Sequence, residues 1–266
     1  MIEGPVAVRE VVDAGVALDE VFVDAEMWAA APADGALRAA VEAAASHGTP
    51  VWALPPGALA RISDTVTPQG LLATAARRTA SVAEVCARPG PVVVAVEVGD
   101  PGNLGTLARA AEAAGAAGIV VAGAGTDPFG PKAVRAGAGS LLRLPVAEID
   151  DVAEALAAVA AEGREVVATV ATGGLAPEQA PLTGAVAVLV GSEAHGLPAA
   201  AVADASTLVT IPLAAAVESL NVAVAGAVVL FEAARQRRAA DAAGAPAPPP
   251  GTDWTTDPST DRLGGR

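Results

Sequence analysis

Beyond residue 90 the chain alternates short apolar runs with alanine-rich segments, and this alternation restricts its fold more than any other feature. The runs near 91–97, 118–122, 166–170, 185–190 and 207–211 are rich in valine. A continuous apolar run, unlike one that alternates with polar residues, marks a strand buried on both faces. The intervening segments near 104–115, 131–138, 151–162 and 198–204 read as helices. Strands of this kind joined through helices imply an α/β domain with a mostly parallel sheet, covered on both sides. A final helix from Ser219 to about Arg238 closes it, with Ser219 as a suitable N-cap. Residues 239–266, with PAPPP at 246–250, have the composition of a disordered tail.

The first 80 residues form a separate α/β pattern. A strand opens the chain, and a helix over 5–14 precedes a strand at 21–23. A helix over 35–48, a strand at 50–54 and a helix near 58–63 follow. The loop TVTPQG then leads to the apolar segment 71–76. Residues 81–90 read as a linker because Pro89-Gly90 breaks regular structure. The expected organisation is therefore 1–80, a linker at 81–90, a larger domain over 91–238 and the tail.

Composition narrows the functional classes. Hydrophobic residues make up 53% of 266 positions, enough for a sizeable core, but aromatics only 2%, so Ala, Val and Leu must fill it. The single cysteine, Cys86, excludes an internal disulfide and suits a reducing, cytoplasmic setting. No secretory pattern opens the chain, and its longest apolar stretch carries Ser219, Asn221 and Glu232, so no membrane span is expected. One cysteine and two histidines do not support a Cys/His metal site. A net charge of −14 counts against a nucleic-acid partner, and few aromatics remain to stack on bases. Local clustering of Arg77, Arg78, Arg109, Lys132, Arg135 and Arg143 would offset this, because arginine grips phosphate through two parallel bonds.

Ligands of open α/β sheets gather where strands end. Three polar clusters lie at such ends. The first is the Gly/Pro/Asn turn after 91–97, with Asn103 and Arg109. The second is the loop after 185–190, with Glu193, His195 and Gly196. The third is Glu218, Ser219 and Asn221 at the mouth of the last helix. Read separately, each has a plain structural explanation: a turn asparagine, a solvated loop acid, a helix cap.

Taken in order, the three clusters resemble the motifs of the SpoU (TrmH-type) RNA ribose 2′-O-methyltransferases, part of the SPOUT superfamily. The first motif matches Asn103 and Arg109 within GNLGTLARAAEAAGA. The second, Gly-x-Glu-x-x-Gly-Leu, matches Gly191, Glu193, Gly196 and Leu197. The third, Ile-Pro followed by Ser-Leu-Asn-Val, matches Ile211, Pro212 and 219–222. The resemblance spans roughly residues 1–235, more loosely at the start. IEGPVAVREVVDAG and the TPQG turn resemble the small ribosomal-protein-like domain of rRNA-directed members.

The resemblance implies a parallel sheet with a deep trefoil knot, a homodimer with donor sites near its interface, and S-adenosylmethionine as methyl donor. It implies that Gly191, Ile211 and Leu220 hold the donor. It implies that Arg109, Asn103, Glu193, Ser219 and Asn221 form the catalytic set. A guanidinium is a poor proton acceptor, so the conservative role for Arg109 is to bind phosphate beside the target ribose. Asn103 is expected to orient Arg109 or the RNA, and Glu193 to bridge to Asn103 or Ser219. Arg77, Arg78, Lys132 and Arg135 are RNA-contact candidates. The family motif does not require histidine at position 195, so His195 reads as incidental.

The activity implied is 2′-O-methylation of RNA, with 23S rRNA favoured by the N-terminal domain. A tRNA enzyme or an antibiotic-resistance rRNA methyltransferase shares the layout. A non-catalytic RNA-binding or ribosome-assembly protein is the alternative of another class, and the intact motif residues argue against it. A nucleotide-binding oxidoreductase fits less well, since GDPGNLG lacks the G-x-G-x-x-G spacing.

Overall fold

The computed structural model describes residues 1–63, 67–214 and 219–244. Glu218 and the tail beyond residue 244 lie outside the described residues.

The N-terminal unit comprises β1 (Ile2–Glu3), α1 (Pro5–Asp13), β2 (Glu20–Asp24), α2 (Ala25–Ala30), α3 (Ala36–Ser46), β3 (Val51–Leu54) and β4 (Leu71–Thr74). Its strand order is β1-β4-β2-β3, with β4 antiparallel to its neighbours and β2 parallel to β3. The sequence pattern placed no element at 25–30, where α2 forms. Asp24 starts this helix: its carboxylate accepts from the N–H groups of Glu26 and Met27, capping α2, and from Gly57 N–H. The helix expected near 58–63 is a single 3₁₀ turn, Leu59–Arg61.

The larger unit contains α4 (Val82–Cys86), β5 (Val92–Val96), α5 (Pro101–Ala113), β6 (Gly118–Ala122), α6 (Pro131–Ala136), α7 (Ser140–Arg143) and β7 (Val146–Ile149). It continues with α8 (Val152–Ala161), β8 (Glu165–Thr169), β9 (Val186–Val190), α9 (Ala199–Ala203), β10 (Thr207–Val209) and α10 (Val222–Gly244). The six strands are ordered β10-β8-β9-β5-β6-β7, and every pair is parallel. Every residue of β5, β6 and β9 is buried, as their uninterrupted apolar runs predict. One core layer packs them against α5, α7 and α10; the other packs them against α4, α8 and α9.

Four expectations need correction. The edge strand β7 was missed because Glu148 interrupts its apolar run, and an edge strand exposes part of its surface. The linker is not featureless: residues 82–86 form α4, started by a reciprocal Ser81–Glu84 capping box. Buried Arg164 donates to the carbonyls of Cys86, Arg88 and Gly90, which fastens the rest of that segment. The last helix starts at Val222 rather than Ser219, and it runs on through 239–244, which belong to α10 instead of a tail. Finally, α5 starts at Pro101, so Asn103 sits in its first turn rather than in the loop before it.

The two units meet through α6 and α7. Val134 of α6 is buried in the N-terminal core, and Arg135 donates to Glu3 at 3.2 Å. Gly139 has φ +78°, and a Cβ there would lie 2.7 Å from the Val11 side chain. Only glycine allows both that backbone and that approach.

Candidate functional site

The C-terminal ends of β8, β9 and β10 open into one cavity of about 360 Å³. Its walls come from Thr169–Ala171 after β8, Gly191–Glu193 with His195 and Gly196 after β9, and Val209, Ile211 and Leu213 around β10. Ser219, Leu220, Val222 and Ala225 close the side formed by the start of α10. The position obeys the strand-end rule for open parallel sheets.

The loop after β9 is tight. Ser192 and Gly196 form an isolated bridge, with Gly196 N–H donating to Ser192 O at 2.8 Å, and Gly196 has φ +68°. A Cβ on Gly191 would lie 2.3 Å from the Gly196 carbonyl carbon and 2.5 Å from Leu197 N. Gly191 is therefore needed first to let the loop close on itself. Its part in holding the donor, which the resemblance implies, comes second.

A hydrogen-bond chain ties all three motifs together. Asn103 Nδ2 donates to Glu193 Oε1 at 2.6 Å, and Asn221 Nδ2 donates to Asn103 Oδ1 at 2.8 Å. Asn221 Oδ1 in turn accepts from the N–H groups of Ala223 and Val224, at 2.9 and 3.3 Å. Asn221, not Ser219, is thus the cap of α10, while Ser219 lines the cavity. Glu193 reaches Asn103, one of the two partners expected for it. Asp100 anchors the other end, capping α5 through Asn103 N–H at 2.9 Å and accepting from Lys132 Nζ at 2.9 Å. The Lys132 bond and then the Asn103 N–H hold the Asp100 carboxyl below its ordinary range.

Arg109 does not line this cavity. It is six residues beyond Asn103 on α5, about 9 Å along the axis and on another face. Asn103 spends its side chain on Glu193 and Asn221, so it does not orient Arg109. Arg109 is exposed and lines a second cavity, at the domain junction, with Arg135, Glu3, Glu10 and Gln69. Among the described residues it has no hydrogen-bonded or ionic partner.

The other cations do not form one cluster. Arg77 pairs with Glu148 at 2.6 Å and lies over the Phe129 ring, and the Glu148 bond raises its proton affinity. Lys132 pairs with Asp100, Arg135 with Glu3, and Arg143 with Glu112. Arg78 is exposed and unpaired among the described residues. Much of the positive charge is thus answered inside the chain, in keeping with the net charge of −14.

Sequence reasoning missed the wall formed by Thr169, Val170 and Ala171. The signal was available, because 166–170 reads as a parallel strand and its end is where ligands collect. Among the described residues no group of side chains is arranged to hold a metal, and no helix is long and apolar enough to cross a membrane.

Comparison with known proteins follows the same two-part division. Residues 90–231 match the profile of the SpoU rRNA Methylase family, and residues 1–73 match that of an MRM3-like substrate binding domain. An uncharacterized tRNA/rRNA methyltransferase of Mycobacterium sp. (strain KMS) is 34% identical over 221 residues, covering 77% of this chain and 68% of the relative. One from Synechocystis sp. is 36% identical over 190 residues, covering 70% and 68%. Among solved structures, the SpoU methyltransferase AviRb from Streptomyces viridochromogenes, in complex with AdoMet, superposes with a TM-score of 0.76. It is 26% identical, with 90% of each chain covered. An AdoMet-bound rRNA methyltransferase from Sinorhizobium meliloti gives 0.74 at 29% identity, covering 88% of this chain and 86% of that one.

Proposed function

The chain belongs to the SpoU rRNA Methylase family, and on that premise we propose that it methylates a ribose 2′-hydroxyl of 23S rRNA, using S-adenosylmethionine. The observation that carries the reading is the single cavity walled by the second and third motifs and bound to the first through Asn103, Glu193 and Asn221.

The residues present fit such a donor. A cavity of about 360 Å³ with apolar walls and a few polar groups is of the kind that takes a small molecule. Ile211 and Leu220 offer flat apolar surface to an adenine, and the Glu193 carboxylate suits a cationic centre. When bound, the donor supplies an electrophilic methyl group. The work of Asn103, Glu193 and Asn221 is to hold one loop and the starts of α5 and α10 at fixed separation, so that donor and ribose meet in line. Ser219 at the cavity wall presents its hydroxyl to either.

Arg109 is proposed to bind a phosphate next to the target ribose, and dimerisation supplies a route for it. Val224, Val228 and Phe231 form an exposed stripe on α10, 48%, 39% and 48% accessible. The stripe adjoins Ile211 and Pro212 on one side and Thr106 and Ala110 of α5 on the other. A homodimer formed on this face would bury the stripe and bring Arg109 of one copy toward the cavity of the other. The deep trefoil knot and a cytoplasmic location belong to the same reading. Arg78, the unpaired member of the four RNA-contact candidates, is expected to contribute more than Arg77, Lys132 or Arg135.

The match of residues 1–73 to a substrate binding domain supports an RNA held by the N-terminal unit. The test is ribose-methylation mapping of 23S rRNA and tRNA from cells with and without the protein. Loss of one 2′-O-methyl group in 23S rRNA is the expected result. Loss confined to tRNA would replace the substrate, and no loss in either RNA would overturn the reading.

A further inference from the structure

We infer that the cavity at the domain junction holds an unpaired guanine of the substrate RNA, next to the ribose that is methylated. The inference rests on the methyl-transfer reading above, in which Arg109 binds a phosphate beside that ribose. It gives the cavity around Arg109 an occupant and leaves the route of Arg109 across the dimer as it stands.

The cavity has a volume of about 320 Å³ and is built by both units. Val6, Ala7 and Glu10 come from α1, Arg109 from α5 and Arg135 from α6, with Ala138 just beyond α6. Its size lies in the range of small-molecule sites. Val6, Ala7 and Ala138 offer apolar surface to the face of a flat ring.

The polar groups divide into an acceptor and two donors. Glu10 is half-buried, and its Oε2 is buried without a hydrogen bond. A buried carboxylate oxygen left without a donor is uncommon and costly. Arg143 is near enough to feel the charge of Glu10, yet its bonds go to Glu112, Ser140 and the Ala138 carbonyl. The charge of Glu10 is thus partly answered while its oxygen still lacks a donor. Arg109 is exposed and has no partner among the described residues. Arg135 makes one bond, to Glu3 at 3.2 Å, and keeps further guanidinium N–H groups to give.

Guanine answers both kinds of group. Its N1–H and N2 amino group are adjacent donors that one carboxylate can accept together. Its O6 and N7 are adjacent acceptors that one guanidinium can serve. Adenine and cytosine each offer a single amino group, and uracil a single N–H, so none gives a carboxylate two donors side by side. A phosphate alone would leave Glu10 unanswered and be repelled by it. Contact with N1–H requires that the base be out of its pair, which is how sequence is read in RNA. Recognition inside a cavity, instead of on a basic face, also suits a chain of net charge −14 that pairs Arg77, Lys132 and Arg143 internally.

The test uses the full chain saturated with S-adenosylhomocysteine, so that the donor cavity is filled. It is titrated by NMR with GMP, AMP, CMP, UMP and IMP, the last lacking only the N2 amino group of GMP. GMP should bind about tenfold more tightly than IMP or the others. Glu10→Gln keeps the shape but leaves one acceptor oxygen, so GMP and IMP should then bind alike. Val6 is 60% exposed, so Val6→Trp should keep the melting temperature, block the cavity and remove GMP binding, whether or not Glu10→Gln folds. On total RNA from cells lacking the protein, Glu10→Gln should raise KM about tenfold and spare kcat. Equal binding of GMP and IMP to the wild type, or no saturable GMP binding at millimolar concentration, would overturn the proposal. GMP binding untouched by both variants would overturn it too, by placing the guanine elsewhere. A lost GMP preference with an unchanged KM for RNA would assign the cavity to a free nucleotide and overturn the RNA assignment. None of these results touches the methyl-transfer reading, which falls instead if S-adenosylhomocysteine does not bind the wild type.

Discussion

Asn221 does two jobs with one amide. Its oxygen caps α10, and its nitrogen reaches Asn103. Substitution can separate them, because aspartate keeps the oxygen and loses the donor. Asn221→Ala should cost about 1 kcal/mol of stability through the lost cap, a fall of roughly 3 °C in melting temperature by calorimetry. Asn221→Asp should keep the melting temperature, yet weaken donor binding as Asn103 loses a partner. If Asn221→Asp binds donor like the wild type, the hydrogen-bond chain is dispensable. Gly191→Ala should abolish donor binding in a titration, since its Cβ meets Gly196 and Leu197 backbone that has no free side-chain end to move. Unchanged affinity would show that the loop can close another way. The presence of Asn103, Gly191, Glu193 and Asn221 as a set was legible in the order of the motifs. Their division of labour was not. Both Ser219 and Asn221 are good caps by composition, and only the position of the first helical turn selects Asn221.

At the scale of elements, α5 depends on the Asp100 carboxylate at its start. That carboxyl is depressed by Lys132 and by the N–H of Asn103, so the folded state binds its proton less readily than the unfolded chain. The sign follows: its stabilisation is complete above the ordinary carboxylate value of 3.8 and is lost as pH falls through the lower, folded value. Acid titration followed by circular dichroism should therefore show a loss of helix below about pH 4 that Asp100→Asn lacks in part. The segment joining the domains gives a second case. Arg164 is buried and serves three carbonyls, so Arg164→Ala should cost roughly 3 kcal/mol in urea unfolding, by leaving buried acceptors unpaired. A cost near zero would mean that water replaces the guanidinium. The central strands were readable because both faces are buried and their composition says so. α4 and β7 were not, because short, partly exposed elements take their stability from neighbours distant in sequence.

At the scale of the molecule, the exposed stripe on α10 makes the dimer testable. Phe231→Glu should convert a dimer to a monomer in analytical ultracentrifugation, and transfer should fall with it. A dimer that survives the change would move the interface elsewhere. If Arg109 acts across that interface, Arg109→Ala and Gly191→Ala chains, each inactive alone, should recover about one quarter of wild-type activity when assembled together, because each mixed dimer keeps one complete site. No recovery would return Arg109 to a role within its own chain.

The amino-acid sequence alone determined the class of fold and the family. Valine runs buried on both faces admit few architectures, and three motifs in order are specific where each alone is not. Tertiary structure alone decided where those motifs go. It drew Asn103, Glu193 and Asn221 into one chain of bonds across 118 residues, and it set Arg109 in a different cavity from the one that Glu193, the partner of Asn103, lines. The reason is that spacing along a helix fixes which face a side chain takes, while only the packing of that helix decides what each face meets.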